Sequence, residues 1–292
     1  LFDNTKLAVR TIEGYRSAIA STLSLVGLEV GTDSHLTRLI NSFYVDRPIA
    51  KNNYPQWSLP VVLAGLMKSP FEDMAKASLA NLTRKTAFLL AMASGARRGD
   101  IHALDYTRIA WNEDHTEVTL CPHADYIAKN FDCRLPASNF QGFSIKAFSS
   151  SLDRTDPERT LCPVRALKFY LTATKGTRAG RSQLFLPIRE TKKTNVSKNT
   201  ISRWIVEAIK LAYITVDKLE ELRRLHQIRA HEVRAIATSV DAWRQVSLGA
   251  ILESCGWRSS TSFIDFYLRD MVEYEKDLTR FKKLPTPASS RH

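Results

Sequence analysis

Residues 82–100 read LTRKTAFLLAMASGARRGD. Seven apolar residues in a row, Ala87 to Ala93, leave no polar face, so the spacing predicts a helix buried on nearly all sides. Ser94 and Gly95 end it. Arg97, Arg98 and Asp100 follow at once, so an arginine here is held on a rigid frame. Its planar fork can grip two oxygens of one phosphate. Taken alone, the plainer reading is a helix-to-helix turn with solvated arginines.

Upstream, Ile12, Tyr15, Ile19, Leu23 and Val26 recur at steps of three and four, which predicts a helix over 11–26, stopped by Gly27. Ser34 is the expected cap of a second helix with Leu36, Leu39, Ile40 and Phe43 inward, ending before Pro48. RPIAKNNYP, residues 47–55, reads as a linker. A second domain then begins near Trp57, with Ser58 as N-cap and Pro60 in the first helical turn. Downstream, Glu117 to Leu120 and Asp125 to Ala128 are candidate strands, and Lys146 sits in a later one. Helices are expected over 163–172, 200–212, 231–243, 248–254 and 260–268. A last one, over 271–283, carries Met271, Tyr274, Leu278 and Phe281 on one face. The fold class is therefore mainly α with a small antiparallel β-sheet.

The 292 residues carry 42 Lys and Arg against 30 Asp and Glu, a formal charge of +12. That balance favours a polyanionic partner, nucleic acid or an anionic membrane. Half of it lies in residues 174–198, where Lys175, Arg178, Arg181, Arg189, Lys192, Lys193 and Lys198 face one acid, Glu190. This stretch is read as a phosphate-tracking surface; the plainer reading is a solvated loop. Gly176, Gly180 and Pro187 interrupt any amphipathic helix, which favours nucleic acid over a membrane. No apolar run is long enough to span a bilayer, and no signal peptide opens the chain. Cys121, Cys133, Cys162 and Cys255 form no C-x-x-C, which argues against a zinc ribbon or disulfide framework and fits a reducing compartment. A first residue of Leu reads as a fragment or processed piece.

Three further sites could carry chemistry. His231 and Arg234, three apart, share one helical face and can converge on one anion, anchored by Val233, Ile236, Ala237 and Val240. Trp257 offers an indole N–H, and Tyr267 follows in the segment FIDFY, residues 263–267. Lys129 ends the candidate strand at 125–128 and precedes Asn130, a turn former. Each alone has a plainer reading: a surface His–Arg pair, aromatic core, a solvated lysine.

Jointly, the ordered set Arg97, Lys129, His231, Arg234, Trp257 and Tyr267 resembles the active site of the tyrosine recombinases, the phage integrase and Cre family. GARRGDIHAL resembles that family's first arginine box, HEVRAIATS its H-x-L-R-H-x-x-A-T box, and GWRSSTSFIDFY its final box. The wording of WSLPVVL and LTRKTAFLLAMASG is most similar to recombinases of DIRS-type retroelements, transposable elements of eukaryotes. Three departures stand out. Asp100 replaces a more usual Glu, Trp257 a more usual His, and Tyr267 lies ten residues after Trp257 where nine is commoner, with Phe266 at that spot.

The resemblance implies a helical core-binding domain over 1–50, shortened, an α+β catalytic domain over 56–283, and a tail over 284–292. It implies site-specific recombination or integration of double-stranded DNA through a 3′-phosphotyrosine, without cofactor, metal or ATP. Tyr267 would be the nucleophile, His231 its proton acceptor or donor, and Arg97 and Arg234 the clamp on the non-bridging oxygens. Trp257 would donate one more hydrogen bond, Lys129 would protonate the leaving 5′-oxygen in competition with Lys146, and Asp100 would buttress. It further implies a C-terminal helix docked on a neighbour, a tetramer on paired sites, and nuclear localisation in a eukaryote or cytoplasmic otherwise. Two alternatives stay open: a catalytically idle, domesticated DNA-binding protein, and a relaxing enzyme like the type IB topoisomerases.

Overall fold

The computed structural model describes residues 7–48, 54–129, 131, 133–134, 140–189, 195–225, 227–257 and 259–287. The chain divides into two compact units, Leu1–Asn52 and Asn53–His292.

In the first unit, α1 (Val9–Ser24) and α2 (Ser34–Asp46) meet through Val9, Ile12 and Ile40. Asp33 caps α2, its carboxylate accepting from Leu36 N–H at 2.8 Å, so the cap lies one residue before the expected Ser34. The expected apolar faces are only partly used. Two helices cannot cover stripes this wide, and Tyr15, Ile19, Val26, Leu36 and Leu39 remain exposed.

The second unit is built round the apolar run. It begins with α3 (Leu59–Leu66) behind Ser58, followed by α4 (Leu79–Ser94). Residues Ala87 to Ala93 are all buried. The chain continues through α5 (Arg98–Ala103), β1 (Leu104–Trp111), β2 (Glu117–Pro122) and β3 (Phe143–Lys146). Then come α6 (Pro163–Thr174), α7 (Lys198–Thr215), α8 (Leu219–Arg224), α9 (Glu232–Trp243), α10 (Leu248–Cys255) and α11 (Ser260–Phe266). A short α12 (Glu275–Leu278) ends the series. Helix α4 is the axle, packed by α6, α7 and α9. The sheet is antiparallel in the order β1-β2-β3, with Val118 opposite Ile145 and Leu120 opposite Phe143, all four facing the core.

Three expectations need correction. Asp125–Ala128 is not a strand: its backbone bonds are local, Tyr126 N–H to the His123 carbonyl and Phe131 N–H to that of Ala128, so it turns within the β2–β3 connection. The helix over 271–283 is broken into a 3-10 turn, Val272–Tyr274, and α12. Its apolar face covers this chain's own core, with Met271 and Leu278 buried, rather than standing ready for a neighbour. The supposed tail is likewise packed as far as Pro287, with Lys282 and Lys283 N–H groups both donating to the Glu158 carboxylate at 3.0 Å.

Helix α3 crosses α7 at Gly65, where a Cβ would lie 2.6 Å from Ala212 Cα. Backbone cannot yield as a flexible side chain can. Gly65→Ala should therefore lower the unfolding free energy by about 2 kcal/mol or more in urea titration, the cost of overpacking a close helix crossing.

Candidate active site

Helix α4 ends at Gly95, whose left-handed φ of 57° turns the chain out of the core. A Cβ there would meet Cys255 Sγ at 2.6 Å and Pro287 Cγ at 2.9 Å, so glycine is required twice over. Arg97 follows as the N-cap of α5, and its N–H donates to Asp100 Oδ2 at 2.9 Å. Asp100 is buried, and its other oxygen accepts from the Tyr126 hydroxyl at 2.8 Å. Arg97 is half-buried, while Arg98 is exposed and reaches Asn199 Oδ1 at 3.3 Å.

His231 stands at the N-terminus of α9 with Arg234 one turn later. Arg234 is 3% exposed. Its Nη1 donates to the Gly95 carbonyl and its Nη2 to that of Cys255 at 2.9 Å, while Nε is buried without an acceptor. Its guanidinium carbon lies 4.2 Å from the Trp257 ring centroid and 5.5 Å from that of Tyr267. Each fork nitrogen gives one of its two N–H groups to a carbonyl and keeps the other. Arg234 thus holds two helix ends together and also brings its charge to the wall of a cleft.

Helix α10 ends at Gly256, also left-handed at φ 61°. Trp257 then packs on Ile251, Cys255 and Phe263. Its ring lies against the Arg234 guanidinium and the Tyr267 ring. Tyr267 caps α11, and its ring centroid lies 4.8 Å from Trp257 and 5.1 Å from His231. Phe266 is 51% exposed and does not line the cleft, whereas Tyr267 does.

Arg97, Asp100, Lys129, His231, Arg234 and Tyr267 line one cleft of about 950 Å³. Lys129 is exposed, in the β2–β3 connection, whereas Lys146 ends β3 opposite Glu117 and does not line the cleft. Of the basic stretch at 174–198, Lys198 lines the cleft as the first residue of α7. Arg178 is a correction: it is 6% exposed, donates to the Leu184 carbonyl at 2.9 Å and lies 4.4 Å from the Tyr106 ring centroid, so it braces the core. Lys175 and Arg189 are exposed and Arg181 half-exposed, away from the cleft; Lys192 and Lys193 lie outside the described residues.

Arg203 and Arg229, which the sequence reading missed, also line the cleft, so seven Lys and Arg face a single carboxylate, Asp100, among its described residues. Asp100 is already engaged by two donors. Arg203 pairs with Glu207 on its own helix at 3.6 Å, and the remaining excess of positive charge favours anions in the cleft. Burial first, then Arg234 and Arg97, lowers the His231 pKa below its usual value although the ring opens into the cleft. His231 is therefore neutral at pH 7 and able to accept a proton. Among the described residues no group of His, Cys, Asp or Glu could hold a metal ion, and no helix is long and apolar enough to cross a membrane.

A second missed feature fixes Tyr267 in place. Glu232, beside His231, takes both Nε and Nη2 of Arg269 at 2.7 and 3.2 Å. Ser239, also on α9, accepts from Arg269 N–H and donates to the Tyr267 carbonyl. The segment that follows Tyr267 is thereby tied to the helix that carries His231.

No family model matches the chain, and no curated protein does. Among solved structures it is similar to XerA recombinase, at 14% identity and a TM-score of 0.49, over 97% of this chain and 86% of that one. It is also similar to a lambda integrase dimer bound to a COC′ core site, at 14% identity and 0.45, over 90% and 60%. For XerH site-specific recombinase bound to difH substrate the values are 14%, 0.46, 94% and 70%.

Removing Arg269 leaves Glu232, with only 6% of its side chain exposed, as an unpaired carboxylate. Arg269→Ala should cost about 3 kcal/mol in urea unfolding, the usual price of orphaning a buried charge. Glu232→Gln in the same chain should recover part of that loss, because the orphan is then neutral.

Proposed function

We propose that this chain cleaves and rejoins DNA strands through a covalent bond between Tyr267 and a DNA phosphate. The observation that carries the reading is the packing of the Tyr267 phenol against a neutral His231 and the Arg234 guanidinium, in a cleft with seven basic side chains.

The chemistry follows from the residues. Duplex DNA brings a phosphodiester into the cationic cleft, where Arg97 faces its non-bridging oxygens. The Tyr267 phenol oxygen attacks phosphorus and gives its proton to the His231 ring. A phenol of pKa about 10 is ionised roughly one part in a thousand at pH 7, so an acceptor is needed. The P–O5′ bond breaks, and the leaving oxygen takes a proton from the Lys129 ammonium. The products are a 3′-phosphotyrosine and a 5′-hydroxyl. An incoming 5′-hydroxyl reverses the step, because the ester to Tyr267 keeps the phosphodiester energy. Charge building on the phosphoryl oxygens is met by Arg97 and Arg234. No step needs a metal, nucleotide or redox cofactor. Exchange between two paired duplexes, with four chains assembled on them, is the setting we favour for this chemistry.

The test is a randomised pool of nicked duplexes, in which cleavage releases a short 5′-hydroxyl fragment and strands the covalent intermediate. Wild-type protein should retain DNA through denaturing electrophoresis. Tyr267→Phe should retain none while binding DNA normally. Arg97→Ala should slow trapping by about a hundredfold, the scale of losing one transition-state donor, and Arg98→Ala far less. Equal losses at Arg97 and Arg98, or trapping by Tyr267→Phe, would contradict the assignment.

The lowered His231 pKa sets a pH dependence. A base with a depressed pKa stays neutral as pH falls through about 6.5 and protonates only below it. The trapping rate should therefore hold through that value and decline at lower pH, and His231→Gln should lose this acid limb. A wild-type limb centred above pH 6.5 would contradict the role.

A further inference from the structure

Tyr126 is a second phenol in the cleft, and the reaction above does not use it. Its hydroxyl donates to Asp100 Oδ1 at 2.8 Å, while Asp100 Oδ2 holds the Arg97 N–H at 2.9 Å. One buried carboxylate therefore joins the arginine turn to the β2–β3 connection. Gly99 lets the two approach: a Cβ there would lie 3.2 Å from the Tyr126 hydroxyl oxygen. The Tyr126 ring also meets both limbs of the connection, His123 at 5.8 Å and Phe140 at 6.2 Å between centroids, both edge-on. Phe140 passes the contact to Phe143 at the start of β3. Lys129 lies three residues beyond Tyr126, exposed, after the buried Ala128.

We propose that Tyr126 is a positioning residue: its hydrogen bond to Asp100 latches the loop carrying Lys129 onto the Arg97 turn, so that the ammonium reaches the leaving oxygen of the phosphate Arg97 holds. This rests on the reading of Lys129 as the proton donor. The hydroxyl is unsuited to attack in Tyr267's place, because burial and the Asp100 carboxylate raise its pKa above the ordinary phenol value. The latch makes Asp100 a two-sided part, fixing the residue that grips the phosphate and the loop that serves the leaving group.

A purely structural role and a positioning role give different results on a modified substrate. A 5′-bridging phosphorothioate leaves as a weakly basic thiolate and needs no proton. The substrate is a duplex recovered by wild-type trapping from the randomised pool, made with the ordinary ester and with the sulfur ester. Single-turnover trapping is measured for wild type, Tyr126→Phe, Lys129→Ala and the double variant, with DNA affinity alongside. Tyr126→Phe keeps the ring and loses only the hydroxyl. It should slow trapping about tenfold on the ordinary ester, part of the roughly hundredfold or more that a general acid contributes, and approach wild type on the sulfur ester. The double variant should be no slower than Lys129→Ala alone. Equal slowing on both esters, or no slowing on the ordinary one, would overturn the latch while leaving the strand-transfer reading intact. Failure of the sulfur ester to rescue Lys129→Ala would overturn it too, since the latch would then serve no acid. A wild type that traps neither ester sinks the strand-transfer reading and the latch with it.

Discussion

The Arg234 guanidinium is the interaction on which the site depends. It bonds the Gly95 carbonyl at the end of α4 and the Cys255 carbonyl at the end of α10. Helix C-termini collect unpaired carbonyls and negative partial charge, so one buried cation closes both ends. The Trp257 and Tyr267 rings offer their faces to the same charge. Without these partners a guanidinium 3% exposed would be strongly destabilising. With them, it draws the Arg97 turn and the Trp257–Tyr267 segment onto α9, which carries His231.

A chain of lesser contacts completes the geometry. Glycines at 95 and 256 take left-handed conformations that turn each chain segment toward the cleft. Asp100 fixes the backbone of Arg97, and Glu232 and Ser239 fix the segment after Tyr267. The C-terminal segment lies beneath, with Pro287 against Gly95. Its packing makes 271–287 part of the body of the second unit, so its removal would expose core.

Much of this was legible in the sequence because it rests on local pattern. The apolar run 87–93 announced α4, Gly95 marked its end, and the spacing of His231 and Arg234 put both on one turn. What stayed hidden depends on contacts between distant residues. Nothing near Asp100 in sequence points to Tyr126, 26 positions on. Arg178 looked like surface charge, and only the Tyr106 and Tyr170 rings around it reveal a core role. Residues 125–128 alternate as a strand would, yet the chain turns there on local bonds such as Tyr126 N–H to the His123 carbonyl, which the alternation does not reveal. Glu232 and Arg269 sat inside or beside stretches already singled out, but pairing across 37 positions has no sequence signature.

The central claim is that the Tyr267 oxygen becomes bonded to phosphorus. The direct measurement is mass spectrometry of the tryptic peptides from the protein–DNA adduct after nuclease digestion. The account predicts one modified peptide, with the residual nucleotide on Tyr267. An adduct on another residue, such as Tyr126 or Tyr274, or no adduct under conditions where the chain binds nicked duplex, would contradict it.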